Sequence, residues 1–391
     1  MTAVADLSFV PPLREKGVAL LSLGTGVANA PATIVEMRAA NADRRPLLFV
    51  LGGPLGLSSL EVLGWLGGEK RALGVASVAD IVFIDPPGTG FGGNLSTSLW
   101  NIEADTRFHA GAILAWLDRY AGKGREIHLL GLGMGGLRAL KVAHHLQRKS
   151  PAASPTSLIL LQTAINSALL ACLPGNPIAY AMRLPTLAAR TWQRRGVTIS
   201  AGQMVDAESA ALDRLFPALL QADRLSGAEA DRLGMSLRES FGEEAQALLW
   251  DGLEGRPISS PAIVERGFAK PWLERRFGSG VAEPYVSSNP GIAENWDWRE
   301  GSRRSTFSNL DLTSVLVDVL THSSSPDILS FTALLDLETP YFAARLPLLD
   351  ALRQERFACD AFASLKAPGM WLAKPIGIWL SDTGPGGSSS A

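Results

Sequence analysis

The segment Gly131-Leu132-Gly133-Met134-Gly135-Gly136 constrains this chain more than any other. An apolar run, Ile127-His128-Leu129-Leu130, leads into it and reads as a buried strand. Leu137-Arg138-Ala139-Leu140-Lys141-Val142-Ala143 leads out and reads as a helix. Four glycines between a strand and a helix mark a sharp turn in which backbone passes close to backbone. Around this junction the same alternation recurs. Pro46–Leu51 and Asp80–Ile84 are short apolar runs that stop at Gly/Pro turns, and Ser157–Leu161 is a further buried strand. Between them Ile102–Tyr120 carries helical spacing through Ile113, Leu114 and Leu117. Strands separated by helices of this length predict an α/β fold with a mostly parallel sheet.

From about Ala171 to Ala282 the character changes to Arg, Glu, Asp, Ala and Leu. Helical spacing runs through Ala207–Leu220, Gly227–Ser240 and Glu243–Trp250. The sheet pattern resumes with a strand at Ile328–Leu335 and a helix through Tyr341–Arg353, and a last strand is expected at Met370–Leu372 or Ile376–Leu380. The expected organisation is therefore core at 1–170, a helical cap at 171–290, core again at 291–382 and a flexible tail at 383–391. With 391 residues the chain is long enough for one large domain with such an insertion.

The motifs, taken in order, resemble those of the serine carboxypeptidases (peptidase family S10), particularly the bacterial branch. Leu51-Gly52-Gly53-Pro54 looks like the family's Asn-Gly-Gly-Pro-Gly loop. Phe83-Ile84-Asp85-Pro86-Pro87-Gly88-Thr89-Gly90-Phe91 is similar to its Phe-x-Asp-x-x-Gly-Thr-Gly-Phe segment, and Gly131–Gly136 to Gly-Glu-Ser-Tyr-Gly-Gly. Trp296-Asp297-Trp298 resembles a Trp-Asp-Trp of bacterial members, and Asp336-Leu337-Glu338-Thr339-Pro340-Tyr341-Phe342 the segment that carries the catalytic aspartate. The resemblance implies an α/β-hydrolase fold, a mostly parallel central sheet flanked by helices with an inserted helical cap.

It does not imply the family's chemistry, which needs a serine nucleophile, a histidine base and an orienting aspartate. Glycine stands at the serine position, Gly133, and Gly369 of Ala367-Pro368-Gly369-Met370-Trp371 stands at the histidine position. Asp336 is the only retained triad position. None of the five histidines (His109, His128, His144, His145, His322) follows Asp336, so the order Ser…Asp…His cannot be completed. The positions that hold the substrate carboxylate in the family are Leu51 and Leu132 here, and aliphatic side chains offer a carboxylate no hydrogen bond. The resemblance leaves the N–H groups of Gly53, beside Gly52, and of Met134 where the family builds its oxyanion hole.

Other candidates read blandly. His144 and His145 are adjacent on a helix and face about 100° apart, so they do not converge on a metal. Asp336 without a histidine reads first as a structural carboxylate. Two readings of Met134, Met370 and Trp371 stand side by side: they fill the space that Ser and His vacated, or they line an apolar pocket. Cys172 and Cys359 are too few for a disulfide framework, and a net charge of -2 gives no case for nucleic acid. No apolar window approaches a membrane span, and no secretory signal opens the chain, so a cytoplasmic protein is expected. No metal and no cofactor is expected.

Together these features predict a pseudoenzyme: a carboxypeptidase-like scaffold that binds an unidentified protein partner or a small apolar ligand. Two alternatives stay open. One is a lyase, cyclase or isomerase using the backbone donors and Asp336. The other is an ordinary serine-type carboxypeptidase or hydrolase recruiting groups from elsewhere, such as Ser58 or Ser59 with His322.

Overall fold

A computed structural model describes residues 13–15, 18–27, 31–38, 45–53, 55–65, 74–91, 97–120, 124–170, 172–258, 267–298, 310–334, 340–352 and 357–363. Nine strands form one sheet: β1 (Leu13–Glu15), β2 (Val18–Gly24), β3 (Pro31–Met37), β4 (Leu47–Val50), β5 (Asp80–Ile84), β6 (Ile127–Leu132), β7 (Ser157–Leu161), β8 (Asp327–Ala333) and β9 (Phe357–Ala363). Their spatial order is β1-β2-β3-β5-β4-β6-β7-β8-β9. The pairings β1/β2, β2/β3 and β3/β5 are antiparallel, while β5, β4, β6, β7, β8 and β9 run parallel.

The central strands are buried along their whole length, β4, β5, β6 and β7 included. A strand covered on both faces has no solvent side, which is why its sequence is a continuous apolar run. Alternate residues feed two cores. Leu47, Phe49, Leu51, Ile127 and Leu129 pack on the side of the helices Ile102–Arg119 and Met134–Lys149. Leu48, Val50, Leu130 and Leu132 pack on the other, with Leu60, Leu63, Trp272 and Tyr285. The Ile102–Arg119 helix begins at Asn101, whose side chain accepts from Ala104 N at 2.9 Å, and carries Arg119 in its last turn.

Between β7 and β8 the described residues form helices and no named strand. Leu184–Arg194, Ala201–Ala210, Phe216–Leu220, Gly227–Phe241 and Glu243–Leu253 enclose an apolar cluster of their own. The run expected as one helix over Ala207–Leu220 starts at Ala201 and passes through a π turn at Ala211–Leu215. There Phe216 N–H reaches back five residues to Ala211 O, one residue before Pro217, which has no N–H of its own.

This order of strands, with the sharp turn after a central parallel strand, defines an α/β-hydrolase fold. Two details differ from the sequence reading. Strands β1, β2 and β3 are not expected from the sequence pattern, and β9 lies at Phe357–Ala363, a segment the pattern leaves unassigned. The alternatives Met370–Leu372 and Ile376–Leu380 lie outside the described residues. No helix among the described residues is long and apolar enough to cross a membrane.

Candidate functional site

Gly133 occupies the tip of the turn between β6 and the Met134–Lys149 helix, with φ 56° and ψ −115°. Side-chain-bearing residues adopt that conformation at a cost of about 1–3 kcal/mol, a strain typical of functional turns. Three contacts hold the tip. Gly133 N–H donates to Leu161 O at 2.7 Å, Gly136 N–H donates back to Gly133 O at 3.0 Å, and Thr163 Oγ1 donates to the same carbonyl at 3.3 Å.

The flanking glycines are there because nothing larger fits. A Cβ on Gly131 would lie 2.0 Å from the Gly135 carbonyl carbon and oxygen. On Gly135 it would lie 2.0 Å from Gly52 O, and on Gly136 2.0 Å from Thr163 Oγ1. The elbow is thereby pressed against the Gly52–Gly53 loop that leaves β4. Gly52, at φ +81°, accepts from Leu132 N at 3.2 Å, and Leu51 N donates to Leu130 O at 2.8 Å. Met134 is half-buried at the first helical position, where its N–H has no intrahelical acceptor.

The structure therefore brings Gly52, Gly53, Leu132, Gly133 and Met134 together, and a Cβ on Gly53 would touch Leu132 Cδ2 at 3.7 Å. Leu51 and Leu132 are buried in the two opposite core layers. Asp336, Gly369, Met370 and Trp371 lie outside the described residues.

Two buried polar networks brace this corner, and the sequence reading identified neither. In the first, Arg138 of the elbow helix, 1% exposed, donates from Nε to Asp105 Oδ2 and from Nη1 to Leu51 O, both at 2.6 Å. His109 Nδ1 lies 3.2 Å from Asp105 Oδ1. Burial alone would push the Asp105 carboxyl up, but Arg138 and His109 reverse this and hold it below the usual carboxylate range.

In the second, Asp85 sits just beyond β5. It accepts from Ser59 N at 2.9 Å and from Tyr285 Oη at 3.0 Å on each oxygen, and the Leu60 N–H adds a further bond. Burial pushes its carboxyl up to about 7 against those hydrogen bonds, and the Glu61 charge adds to the rise. Glu61 in turn accepts from Phe268 N at 3.0 Å and Ala269 N at 2.9 Å.

Among the described residues the remaining candidates lie apart from one another. Ser58 and Ser59 are fully buried, and Ser59 Oγ donates to Ile84 O. His322 hydrogen-bonds through Nδ1 with Ser324 at 2.9 Å, beside His144, Gln147 and Arg148. These belong to the far half of the elbow helix, roughly 15 Å along its axis from Met134. The arrangement of Ser58 or Ser59 with His322 is thus not formed, because Ser59 packs against the Gly52 end of the sheet. His128 is buried with Nδ1 2.7 Å from Ser157 Oγ, and burial pushes its pKa down to about 4. His144 Nε2 faces Asp318 at 3.5 Å. Among the described residues no group of three or more His, Cys, Asp or Glu could hold a metal ion. Cys172 is a free, buried thiol that accepts from Arg183 at 2.7 Å, and burial pushes its pKa up to about 11.

No family model matches the sequence, and no curated protein matches it. Solved structures do resemble it. The prohormone-processing carboxypeptidase Kex1 of Saccharomyces cerevisiae shares 13% identity over 89% of this chain and 79% of its own, with a TM-score of 0.49. A thermostable carboxyl esterase of Bacillus coagulans shares 10% over 94% and 98% (TM-score 0.45), and an esterase of Pyrobaculum calidifontis 15% over 95% and 86% (TM-score 0.42).

Proposed function

We propose that this chain is a catalytically inactive relative of the serine carboxypeptidases, acting in the cytoplasm as a binding or scaffolding protein with segment 171–290 as its cap. The observation that carries the reading is Gly133: the strained tip where a hydrolase presents its nucleophile holds a residue with no side chain. The absence of any histidine after Asp336 supports it, since a serine without a base is a weak nucleophile. In this reading the ligand or partner meets Gly53 N–H, Met134 with its free N–H, and the apolar Met370 and Trp371. Gly52, Leu51 and Leu132 hold the loop in place from beneath, because both leucine side chains are buried. Asp336 serves as a structural carboxylate.

The test is labelling with a fluorophosphonate, which reacts with activated serines. The expected result is no stoichiometric adduct on the native protein. Stoichiometric modification of any serine overturns the inactive reading. The binding half is tested by native mass spectrometry of protein purified from its host. A co-purifying partner or apolar molecule that is retained by wild type and lost from Met134→Arg supports the site, and retention by both variants removes it.

A further inference from the structure

A concavity of about 440 Å³ opens where the last turns of the elbow helix Met134–Lys149 meet the end of the helix Thr313–Thr321. The two elements line it with matching spacings. His144, Gln147 and Arg148 stand at i, i+3 and i+4 on one, and Asp318, Thr321 and the C-cap His322 repeat the pattern on the other. Every lining residue is polar, and one formal charge of each sign is present. Asp318 is exposed, with Oδ2 3.5 Å from His144 Nε2. Burial pushes the His144 pKa down and Arg148 adds to the fall, so at neutral pH the imidazole is uncharged and leaves the Asp318 charge in place. Arg148 is exposed and makes no ion pair among the described residues. Four residues beyond His144, it stands one helical turn, about 6 Å, further along the axis. Two open hydrogen-bonding groups complete the lining. Gln147 is 1% exposed; its Nε2 donates to Val319 O at 3.3 Å and Ser324 O at 3.0 Å, while its Oε1 is buried with no hydrogen-bond partner among the described residues. A buried acceptor left this way is costly until a donor reaches it. His322 Nδ1 accepts from Ser324 N at 3.2 Å, which places the ring proton on Nε2 and makes that atom a donor.

We propose that this cavity binds a free α-amino acid with a small polar side chain, as its zwitterion. The ligand carboxylate meets Arg148 and the His322 Nε2–H, and the ligand ammonium meets Asp318 and the otherwise unpartnered Gln147 Oε1. The two charges of an α-amino acid are one carbon apart, and with a hydrogen bond of about 2.8 Å at each end they span the helical turn between the cation and the anion. An anion alone faces Asp318 and Gln147 Oε1, neither of which offers it a hydrogen. A cation alone leaves Arg148 unmet. No apolar side chain lines the cavity, so an aliphatic or aromatic ligand side chain gains nothing there. The site is separate from the cleft at Gly133, since His144 lies roughly 15 Å along the elbow helix from Met134.

The probe is L-serine, titrated calorimetrically into the full-length protein at neutral pH. The controls are 2-aminoethanol, which is serine without its carboxylate, and 3-hydroxypropanoate, which is serine without its ammonium. The expected result is saturable binding of L-serine, with each control weaker by about fivefold, the upper end for an exposed ion pair. Arg148→Gln should weaken L-serine by about the same factor and leave 2-aminoethanol unchanged. Asp318→Asn should weaken L-serine likewise and leave 3-hydroxypropanoate unchanged. Both residues are exposed, so the variants' unchanged thermal midpoints separate lost binding from lost folding. No binding of L-serine up to about 10 mM overturns the proposal. So does a control that binds as tightly as L-serine, or L-serine binding indifferent to both substitutions.

Discussion

Replacing Asp85 by asparagine should stabilise this protein at neutral and alkaline pH. The carboxyl is buried at 3% residue exposure, and its ionisation is pushed from the ordinary 3.8 to about 7, chiefly by burial. A rise of about three pH units, at about 1.4 kcal/mol per unit, corresponds to about 4 kcal/mol of native-state cost once the group is charged. The sign follows from linkage. Below pH 4 the group is protonated in both states, and its contribution to stability is complete. As pH rises from about 4 to 7 the unfolded chain releases the proton first, and stability falls; above about 7 the loss is complete.

Asparagine cannot ionise and has nearly the same shape. Its Oδ1 accepts from Ser59 N and Leu60 N, while its Nδ2 donates to Tyr285 Oη, which reverses its own bond. Exchanging charged for neutral hydrogen bonds costs about 1–2 kcal/mol, which leaves a net gain of about 2–3 kcal/mol at pH 8.5. Urea unfolding followed by tryptophan fluorescence at pH 5, 6.5 and 8.5 measures this. The advantage of Asp85→Asn should shrink on acidification. A variant less stable than wild type at pH 8.5, or a difference flat with pH, refutes the reasoning.

Three further outcomes are expected. His128 is held neutral by burial with its pKa near 4, so the unfolded chain takes up a proton first as pH falls below 6.5. About 3 kcal/mol is therefore lost between pH 6.5 and 4, and His128→Gln, which keeps a partner for Ser157 Oγ, should remove that loss in urea titrations at pH 7 and 4.5. Equal acid losses in both proteins contradict this. Arg138→Met strands the buried Asp105 carboxylate and should cost about 3–5 kcal/mol by urea unfolding, with part of it recovered when Asp105→Asn is added. A cost below about 1 kcal/mol means the pair is solvated. Gly133→Ser should lower stability by about 1–3 kcal/mol and still resist fluorophosphonate, because the turn strains any side-chain-bearing residue and no base waits beside it. Stoichiometric labelling of that variant shows that a base is in reach.

How legible each part was depends on how far apart its determinants lie in the chain. Strands β5 and β7 coincide with the expected Asp80–Ile84 and Ser157–Leu161, since a strand buried on both faces is a bare apolar run between turns. The Ile102–Arg119 helix was equally plain, with a capping Asn101 at one end. Strand β3 was missed because its seven residues, Pro31–Met37, include Glu36 and show no run of either period, and its partners β2 and β5 supply the order. The elbow was legible because its steric rules act between neighbours in sequence. The braces around it were not. Tyr285 meets Asp85 across 200 residues, Phe268 meets Glu61 across 207, and Arg138 meets Leu51 across 87. A charged residue inside an apolar helix, such as Asp105 or Arg138, was the available signal. It announces that a partner exists without saying which one.

The same distinction bears on which residues of this turn the fold itself requires. Gly131, Gly135 and Gly136 are each fixed by an atom about 2.0 Å from where a Cβ would go, two of them by backbone that cannot step aside. Any version of the chain that packs the elbow helix against the Gly52 loop must keep them, whether or not it catalyses anything. Their presence is therefore required by the packing of the folded state and carries no information about hydrolysis. Position 133 obeys the opposite rule. Its φ of 56° and ψ of −115° penalise every residue except glycine, so a serine there is a standing cost that only catalysis offsets. On the inactive reading proposed above, glycine at this position relieves that strain, while the neighbouring glycines have no such freedom. A turn with all its steric residues intact and its one strained residue relaxed is what folding without hydrolysis would leave behind.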